Sequence, residues 1–287
     1  MKGAAVVLLA LAACPACDEP LDQRLGIIDA PRVLAVIAEP AEAKAGAFVT
    51  YEAVIAGPDG PQAITPSWGY CTSPKPPTED NAASTACVGG EALIDLGTAP
   101  TATGALPAEG CIQFGPDVPA GGFRPRDPDA SGGYYQPVRV ATDDLLAIGL
   151  SRITCNLPTA PFEAAQRYRT EYVANANPVL DPIALERVPA DSDVTLVASW
   201  PAETTETYLY FDPAAQMLLD RREAMRVSWF ATGGALAVDA SAVTEDDAAT
   251  TVSTVWHTPA AGTAWTWIVL RDSRGGLAVQ ARSITVE

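Results

Sequence analysis

The segment Thr263-Ala264-Trp265-Thr266-Trp267-Ile268-Val269-Leu270 is the strongest β-strand signal in the chain. Aromatic and β-branched residues fill it, and such side chains pack well on the pleated surface of a sheet. The stretch that follows, Arg271 to Gly276, contains Asp272 and two glycines, which suit the tight turn of a β-hairpin. Residues 277–286 then form the returning strand. Together these residues predict an antiparallel sheet at the C-terminal end of the chain.

Further strand signals fall into an early and a late group. The early group covers residues 33–37, 48–55 and 64–70, and the late group covers residues 194–200, 225–231 and 250–256. Ser67-Trp68 in the early group is matched by Ser228-Trp229 in the late group. An Ig-like sandwich typically begins with a strand, a Pro/Gly turn, a second strand, an Asp-Gly loop and a Trp-bearing strand, and the early group follows this order. The sequence therefore predicts an all-β fold of two Ig-like β-sandwich domains, residues 31–185 and 186–287.

The region between the two groups has weaker signals. Residues 72–136 are rich in Pro, Gly, Ala and Asp, and they are predicted to form a long insertion in the first sandwich. Residues 163–173 fit a helix or a strand, and the β-prone Tyr168, Thr170 and Tyr172 favour a strand. Residues 214–222 are the best helix candidate. Since residues 186–287 contain no cysteine, an inter-sheet disulfide is excluded there and Trp229 is expected to anchor the second core alone.

Composition limits the classes of function. The chain has 287 residues, of which 48% are hydrophobic, so it can bury real cores and is not a disordered protein. The 25 prolines and 22 glycines fit many short strands and loops. Asp and Glu number 35 against 18 Lys and Arg, and the formal net charge is −17. Nucleic acid is therefore not an expected partner, because phosphate binding needs a basic face.

The N-terminus has the features of an export signal. Lys2 precedes an apolar run from Ala4 to Ala13, which is too short for a bilayer-spanning helix, since that needs about twenty residues. The run ends in Leu11-Ala12-Ala13-Cys14, which resembles a bacterial lipobox. The resemblance implies that residues 1–13 are a lipoprotein signal peptide and that Cys14 is lipidated and becomes the new N-terminus. The alternative is an ordinary signal peptide cut near Ala16.

The lipobox resemblance also implies a location. A lipid on Cys14 would anchor the protein to the membrane of the cell envelope, with residues 14–30 as a polar tether. Pro15 and Ala16 follow Cys14 where inner-membrane lipoproteins of this type often carry Asp, which favours the outer membrane. The signal segment and the two Trp-bearing repeats together resemble bacterial lipoproteins built from Ig-like or PKD-like sandwich repeats. That resemblance implies a fold and a location, and it implies no activity.

Four further cysteines lie in the first half of the chain. In an oxidising compartment, Cys71, Cys87, Cys111 and Cys155 are expected to form two disulfides, for which three connectivities exist. Cys71–Cys87 and Cys111–Cys155 are favoured, because the first closes a short Pro-rich loop and the second ties the end of the insertion to a later strand. A zinc site is disfavoured by the wide spacings. Reduction is expected to destabilise residues 31–185 and to leave 186–287 nearly unchanged, while Cys17 is left over.

Asp127, Asp129 and Ser131 place oxygen side chains at alternate positions before Gly132 and Gly133. Alternating oxygens followed by glycine can converge on Ca²⁺, but an EF-hand would carry Glu where this chain has Val138. The sequence therefore allows a weak calcium site, whose alternative is a solvated turn; no other cofactor is expected. The acidic run Glu245-Asp246-Asp247 and the single histidine, His257, are interpreted as surface features.

No Gly-x-Ser-x-Gly, P-loop, His-Glu-x-x-His or dinucleotide-binding motif occurs in the sequence. The leading prediction is a non-catalytic, lipid-anchored envelope protein that presents Ig-like domains for binding, adhesion or spacing. Its partner would be an envelope protein or a glycan. The alternative is a carbohydrate-binding module or glycan-active enzyme. Trp265 and Trp267 point to the same face of their strand, where they either line the core or form an exposed sugar platform; hydrolysis by paired carboxylates needs no motif.

Overall fold

Nine strands among the described residues of the first half form two facing sheets. The computed structural model describes residues 25–73, 83–113, 115, 117 and 131–287. The first-half strands are β1 (Arg32–Glu39), β2 (Glu42–Lys44), β3 (Phe48–Gly57), β4 (Gly60–Pro61), β5 (Ser67–Cys71), β6 (Leu93–Thr98), β7 (Thr101–Ala105), β8 (Gly133–Ala141) and β9 (Leu146–Thr154). One sheet has the order β1-β3-β4, with β7 paired to β3, and the other has the order β2-β9-β8-β5-β6.

Alternating side chains of the two sheets make the first core. In β3, Val49 and Tyr51 are buried while Phe48 and Thr50 are exposed, which is the period-2 pattern of a strand with one face on a core. Trp68 of the opposite sheet packs in the same cluster as Tyr51, at a ring-centroid distance of 6.4 Å. The Trp-bearing strand predicted at residues 64–70 is therefore a core strand of the first sandwich.

Residues 72–136 supply both strands and disulfides to the first sandwich. β6 pairs with β5 and β7 pairs with β3, so this predicted insertion extends both sheets. Two short helices also lie here, α1 (Thr85–Val88) and α2 (Gly110–Gln113). Disulfides join Cys71 to Cys87 and Cys111 to Cys155, with Cα–Cα distances of 5.3 Å and 5.6 Å. These are the two pairs favoured from the sequence.

The second half forms another sandwich with an added hairpin. Its strands are β10 (Arg187–Val188), β11 (Asp193–Ser199), β12 (Thr207–Asp212), β13 (Met217–Arg222), β14 (Met225–Ala231), β15 (Ala235–Leu236), β16 (Ala240–Val243), β17 (Thr251–His257), β18 (Gly262–Asp272) and β19 (Leu277–Val286). The sheet β10-β19-β18-β14-β16 faces the sheet β11-β17-β15, and β12 pairs with β13. Trp229 shares the core with Trp200 and Trp256, so it does not anchor that core alone. The predicted all-β fold with two Ig-like sandwiches is confirmed.

Two local predictions are wrong. Residues 163–173 are mostly helix α3 (Phe162–Glu171), because Ala, Gln, Arg and Glu favour a helix and Tyr168 packs on the β12–β13 hairpin. Residues 214–222 are a turn and strand β13, not a helix. Asp212 accepts hydrogen bonds from the backbone N–H groups of Ala214 and Ala215 at 2.8 Å and 3.1 Å, and Gln216 has a φ of +56°, which ends any helix.

The two sandwiches share a buried contact. Leu34 and Ala35 of β1 pack against Val269 and Leu277 of the second sandwich. Ile28 is fully buried beside Trp267, and its N–H donates to the Ala231 carbonyl at 2.8 Å, so the end of the predicted 14–30 tether belongs to the folded body. The boundary at residues 185/186 stays a prediction. Among the described residues, a helix with the length and hydrophobicity of a membrane span is not found.

Candidate functional site

Arg274, in the turn between β18 and β19, lies at the centre of a buried polar network. Its side chain is only 2% exposed. Nε donates to Glu223 Oε1 at 2.7 Å and Nη2 donates to Glu206 Oε2 at 2.6 Å. Nη1 donates to the Val173 carbonyl at 3.0 Å and to the Tyr172 hydroxyl at 3.2 Å. The guanidinium therefore joins the second sandwich to residues 172–177, here called the connector.

Glu42 of β2 holds the connector from the first sandwich. Its Oε2 accepts from the Tyr172 hydroxyl at 2.8 Å and from the Asn175 N–H at 2.9 Å. Its Oε1 lies 3.2 Å from Nε of the buried Arg152 and accepts from the Thr154 hydroxyl at 2.9 Å. Because a buried carboxylate is stable only with donors around it, these four contacts allow Glu42 to remain buried.

Asp272 shapes the turn that carries Arg274. Its Oδ1 accepts from the backbone N–H groups of Arg274 at 2.8 Å and Gly276 at 2.9 Å. Asn175 Nδ2 donates to both Asp272 oxygens at 3.2 Å, so the connector is also bonded to this turn. The position of Gly276 leaves no room for a side chain, since a Cβ there would lie 2.2 Å from Asp272 Oδ2.

The network holds more carboxylates than guanidinium groups. Burial, and then the nearby Asp272 carboxylate, raise the pKa of Glu223 from 4.5 to about 7, although Arg274 acts in the opposite direction. Burial likewise raises the pKa of Tyr172 to about 12, so it serves as a neutral hydrogen-bonding group. The arrangement fixes the two sandwiches relative to each other and leaves its acidic groups occupied by protein donors.

A cleft of about 300 Å³ lies beside the network, between the two sandwiches. Residues 33–36 of β1 and 147–150 of β9 form one side, and residues 271–273, Gly275 and Leu277 form the other side. Tyr135, whose ring lies 5.1 Å from the Arg152 guanidinium, also lines it. Clefts between domains are common sites for ligands. This cleft is the candidate functional site.

The sequence-predicted lipid and calcium sites lie mostly outside the described residues. Cys14, Asp127 and Asp129 are outside them, so lipidation and the calcium loop stay predictions. Ser131 is described, and its Oγ accepts from Arg152 Nη2 at 2.7 Å. A guanidinium at that distance opposes a cation on the same oxygen, so Ser131 is a poor calcium ligand in this arrangement.

The two tryptophans of β18 have different environments. Trp267 is fully buried beside Ile28 and Ala56, at the contact between the sandwiches. Trp265 is half-buried and stacks on Trp267 with ring centroids 6.3 Å apart. The Trp265 indole also packs against Gly60 of the first sandwich, where a Cβ would lie 2.6 Å from the ring. The two rings therefore do not form an exposed paired platform.

The remaining sequence candidates are surface groups. His257 Nδ1 and Asp193 Oδ1 lie 2.8 Å apart on exposed ends of β17 and β11. Glu245 forms an ion pair with Arg221, which lowers the pKa of that carboxylate. Neither group lines the interdomain cleft.

Sequence reasoning missed the network residues. The stretch containing Asp272 and Arg274 predicts only a hairpin turn, and Glu42 and Arg152 carry no motif. The sequence offered one weak indication of the network, which is that Asp272 and Arg274 lie together in a turn that also contains two glycines. Their partners lie far away in sequence, so no spacing pattern identifies them.

Comparisons with known proteins identify no family. No protein-family model and no curated protein matches the chain. Among solved structures, similarity is found to the fibronectin(III)-like modules of Clostridium thermocellum CbhA, at 11% identity over 88% of this chain and 94% of that chain, with a TM-score of 0.26. The D0-D1 domain of Intimin is 10% identical over 88% of this chain and 99% of that one, with a TM-score of 0.23. Yersinia pseudotuberculosis adhesin InvE is 10% identical over 88% of this chain and 58% of that one, with a TM-score of 0.25. Similarity at this level carries no argument about function.

Proposed function

We propose that the protein is a non-catalytic binding protein of the bacterial cell envelope, anchored by a lipid on Cys14 at the outer membrane. The observation that carries the binding role is the buried network around Arg274, which holds the two sandwiches and their connector as one body with a cleft between them. A fixed cleft is pre-organised, so less conformational entropy is lost when a ligand binds.

The chemistry of the cleft supports binding rather than catalysis. Among the described residues that line the cleft, Asp272 carries a carboxylate group. Both oxygens of this carboxylate accept hydrogen bonds from the protein. A general base needs a lone pair directed at the substrate, and a nucleophile needs an activating base beside it. The described lining residues provide main-chain edges, apolar side chains, Tyr135 and Arg271, which are suited to recognition.

The anchor is tested by labelling cells with radioactive palmitate. The wild-type protein should take up the label and fractionate with the outer membrane. Cys14→Ser should abolish labelling and release the protein from the membrane fraction, whereas Cys17→Ser should do neither. A wild-type protein that takes up no palmitate would overturn the anchor, and sugar or peptide release from purified envelope material would overturn the non-catalytic role.

A specific observation keeps glycan binding as a second candidate. Trp265 lines a shallow depression of about 460 Å³ together with Arg187 and Arg282. A half-exposed indole beside guanidinium groups can stack on a sugar ring and donate hydrogen bonds to its hydroxyls. Binding on a glycan array that Trp265→Ala removes would support this role, and an array without any signal would count against it.

A further inference from the structure

Arg226 and Arg271 form an arginine pair whose charges face the same side of the second sandwich. They lie directly opposite each other in the antiparallel β14–β18 register, and both are exposed. Like charges at directly opposed positions repel, so this arrangement is unfavourable unless an anion lies between them. Although the Arg271 side chain is exposed to water in part, desolvation by the surrounding protein has the largest effect on its pKa and lowers it. The Asp272 carboxylate raises the pKa of Arg271, and Arg226 lowers it.

The arginine pair lacks the carboxylate partner that several other arginines of the described residues have. Arg152, Arg221 and Arg274 each have a carboxylate within ion-pair distance. In the part of the chain that the structure describes, neither Arg226 nor Arg271 forms such a pair. With 35 acidic and 18 basic residues, a carboxylate partner would be easy to supply from the chain itself. Two adjacent guanidinium groups without one are suited to bind a carboxylate from outside.

Arg271 also lines the interdomain cleft, whose opposite side contains an open strand edge. The Cys155 N–H bonds to the Gly132 carbonyl and the Thr142 N–H to the Leu145 carbonyl, both at 2.8 Å. Because an antiparallel ladder alternates, the odd-numbered residues of β9 then bond to β8 and the even-numbered ones point away. β2 covers this outer edge only at residues 152–154. The main-chain groups of Ile148 and Leu150 therefore face the cleft side, and no other strand of the described residues pairs with them.

We propose that the cleft binds an extended acidic peptide segment, whose main chain pairs with the open edge of β9 and whose carboxylate contacts Arg226 and Arg271. An added strand supplies main-chain hydrogen bonds, and alternate side chains can contact the exposed Leu146 and Leu150. The positive charges of Arg226 and Arg271 favour a peptide with acidic side chains. This inference deepens the proposed binding role and rests on it, but it is independent of the lipid on Cys14.

Because the net charge of the chain is −17, binding of an acidic peptide is a selective test for a local basic site. The protein as a whole repels an acidic peptide, so general electrostatic attraction cannot cause binding. The probes are fluorescein-labelled (Val-Glu)₃, with (Val-Gln)₃ and (Val-Lys)₃ as peptides matched in length. Fluorescence anisotropy with the purified full-length protein should show binding of (Val-Glu)₃ that is at least tenfold tighter than that of either control. Equal binding of the neutral peptide would overturn the assignment to the arginine pair.

Two variants locate the contact. The double variant Arg226→Gln/Arg271→Gln should weaken (Val-Glu)₃ binding at least tenfold. Arg167→Gln, which removes an exposed arginine on α3, should change it less than twofold. Far-UV circular dichroism and thermal melting show whether the double variant is folded. A folded double variant that binds like wild type would contradict the proposal.

Strand pairing is tested without changing the protein. (Val-Glu)₃ N-methylated at every main-chain amide lacks main-chain donors and should bind at least tenfold more weakly. Hydrogen exchange at the amides of Ile148 and Leu150 should slow when (Val-Glu)₃ is added, while that of exposed residues on α3 should not. Full-strength binding of the N-methylated peptide, or of an oligogalacturonate of equal charge, would overturn the peptide assignment. Palmitate labelling is unaffected by either outcome, so failure here is distinguishable from failure of the anchor.

Discussion

At the scale of single residues, Arg274 and the carboxylates around it hold the centre of the molecule. Glu223 and Glu206 each lie within 2.7 Å of its nitrogens, and Glu42 lies 3.9 Å away. A buried charge of this kind is stable only while its partners remain, because the cost of removing it from water is otherwise not recovered. The effect of a substitution is therefore set by the partners that it leaves unpaired.

Arg274→Ala should destabilise the protein by roughly 3–5 kcal/mol, since it leaves Glu223 buried without its cation. The free energy of unfolding from urea titrations at pH 7 measures this. Arg167→Ala removes an exposed i,i+4 ion pair with Glu171 and should cost less than about 1 kcal/mol. A loss at Arg274 no larger than at Arg167 would mean that the network does not support the fold.

Glu223 should make the stability depend on pH. Its pKa of about 7 lies above the ordinary 4.5, so between these values the folded protein holds a proton that the unfolded chain has released. This contribution is fully present below pH 4.5 and is lost as pH rises through about 7, with a slope of up to about 1.4 kcal/mol per pH unit. Glu223→Gln should flatten the curve between pH 5 and 7 in pH-resolved urea unfolding. A variant with the wild-type slope would assign the titration to another group.

At the scale of elements, helix α3 and the β12–β13 hairpin form a small core of their own. Tyr168 packs with Leu209, Phe211 and Leu218, and its hydroxyl donates to the Ser131 carbonyl at 2.8 Å. The sequence pattern of residues 163–173 allowed either a helix or a strand. Packing against the hairpin decided between them, as tertiary contacts commonly do for segments of mixed propensity.

Tyr168→Phe should therefore cost about 1 kcal/mol, the usual net value of a buried hydrogen bond. The cost should not be larger, because Arg152 also donates to the same Ser131 carbonyl at 3.3 Å. Chemical unfolding compares this variant with Tyr210→Phe, whose ring faces Arg221 and whose hydroxyl has no hydrogen bond in the described residues. Equal stability of both variants would show that this hydroxyl does not fix α3.

At the scale of the whole molecule, the two sandwiches are coupled by apolar packing and by the connector. Ala35 and Ile28 are buried and Leu34 is partly buried against the second sandwich. Asn177 donates to Glu39 and to the Ala38 carbonyl and accepts from the Leu277 N–H. Independent unfolding would expose these groups to water. The expectation that reduction spares residues 186–287 therefore does not follow from the structure.

Reduction should instead lower the stability of both halves together. The disulfides span 16 and 44 residues, and each should contribute roughly 3–4 kcal/mol through the entropy of the unfolded chain. Tryptophan fluorescence reports mainly on the second half, which holds Trp200, Trp229 and Trp256. After reduction, the melting temperature measured by tryptophan fluorescence should fall by the same amount as the one measured by far-UV circular dichroism. A tryptophan transition that stays unchanged would mean that the sandwiches unfold separately.

The sequence by itself determined the fold class and the position of most core strands, and among three connectivities it favoured the two disulfides that the structure contains. The fold class and the strands depend on period-2 alternation and on turn residues, which act over short stretches. The disulfide prediction depends on the cysteine count together with the expectation that the chain is exported. The matched Ser-Trp pairs at residues 67–68 and 228–229 are an example, because both tryptophans are buried in their own sandwich core. A strand with one buried face carries its pattern in its own residues.

Only the tertiary structure decided the candidate site. Glu42 lies on β2, Arg152 on β9 and Arg274 in the β18–β19 turn, and each becomes a network residue solely because folding brings it to the connector. The same holds for Arg226 and Arg271, whose opposition is a matter of strand register. Long-range ion pairs and strand registers are set by the packing of whole sheets, and no local pattern records which charge will face which. Trp267 shows the same limit, since its strand face was predictable but the sandwich that covers it was not.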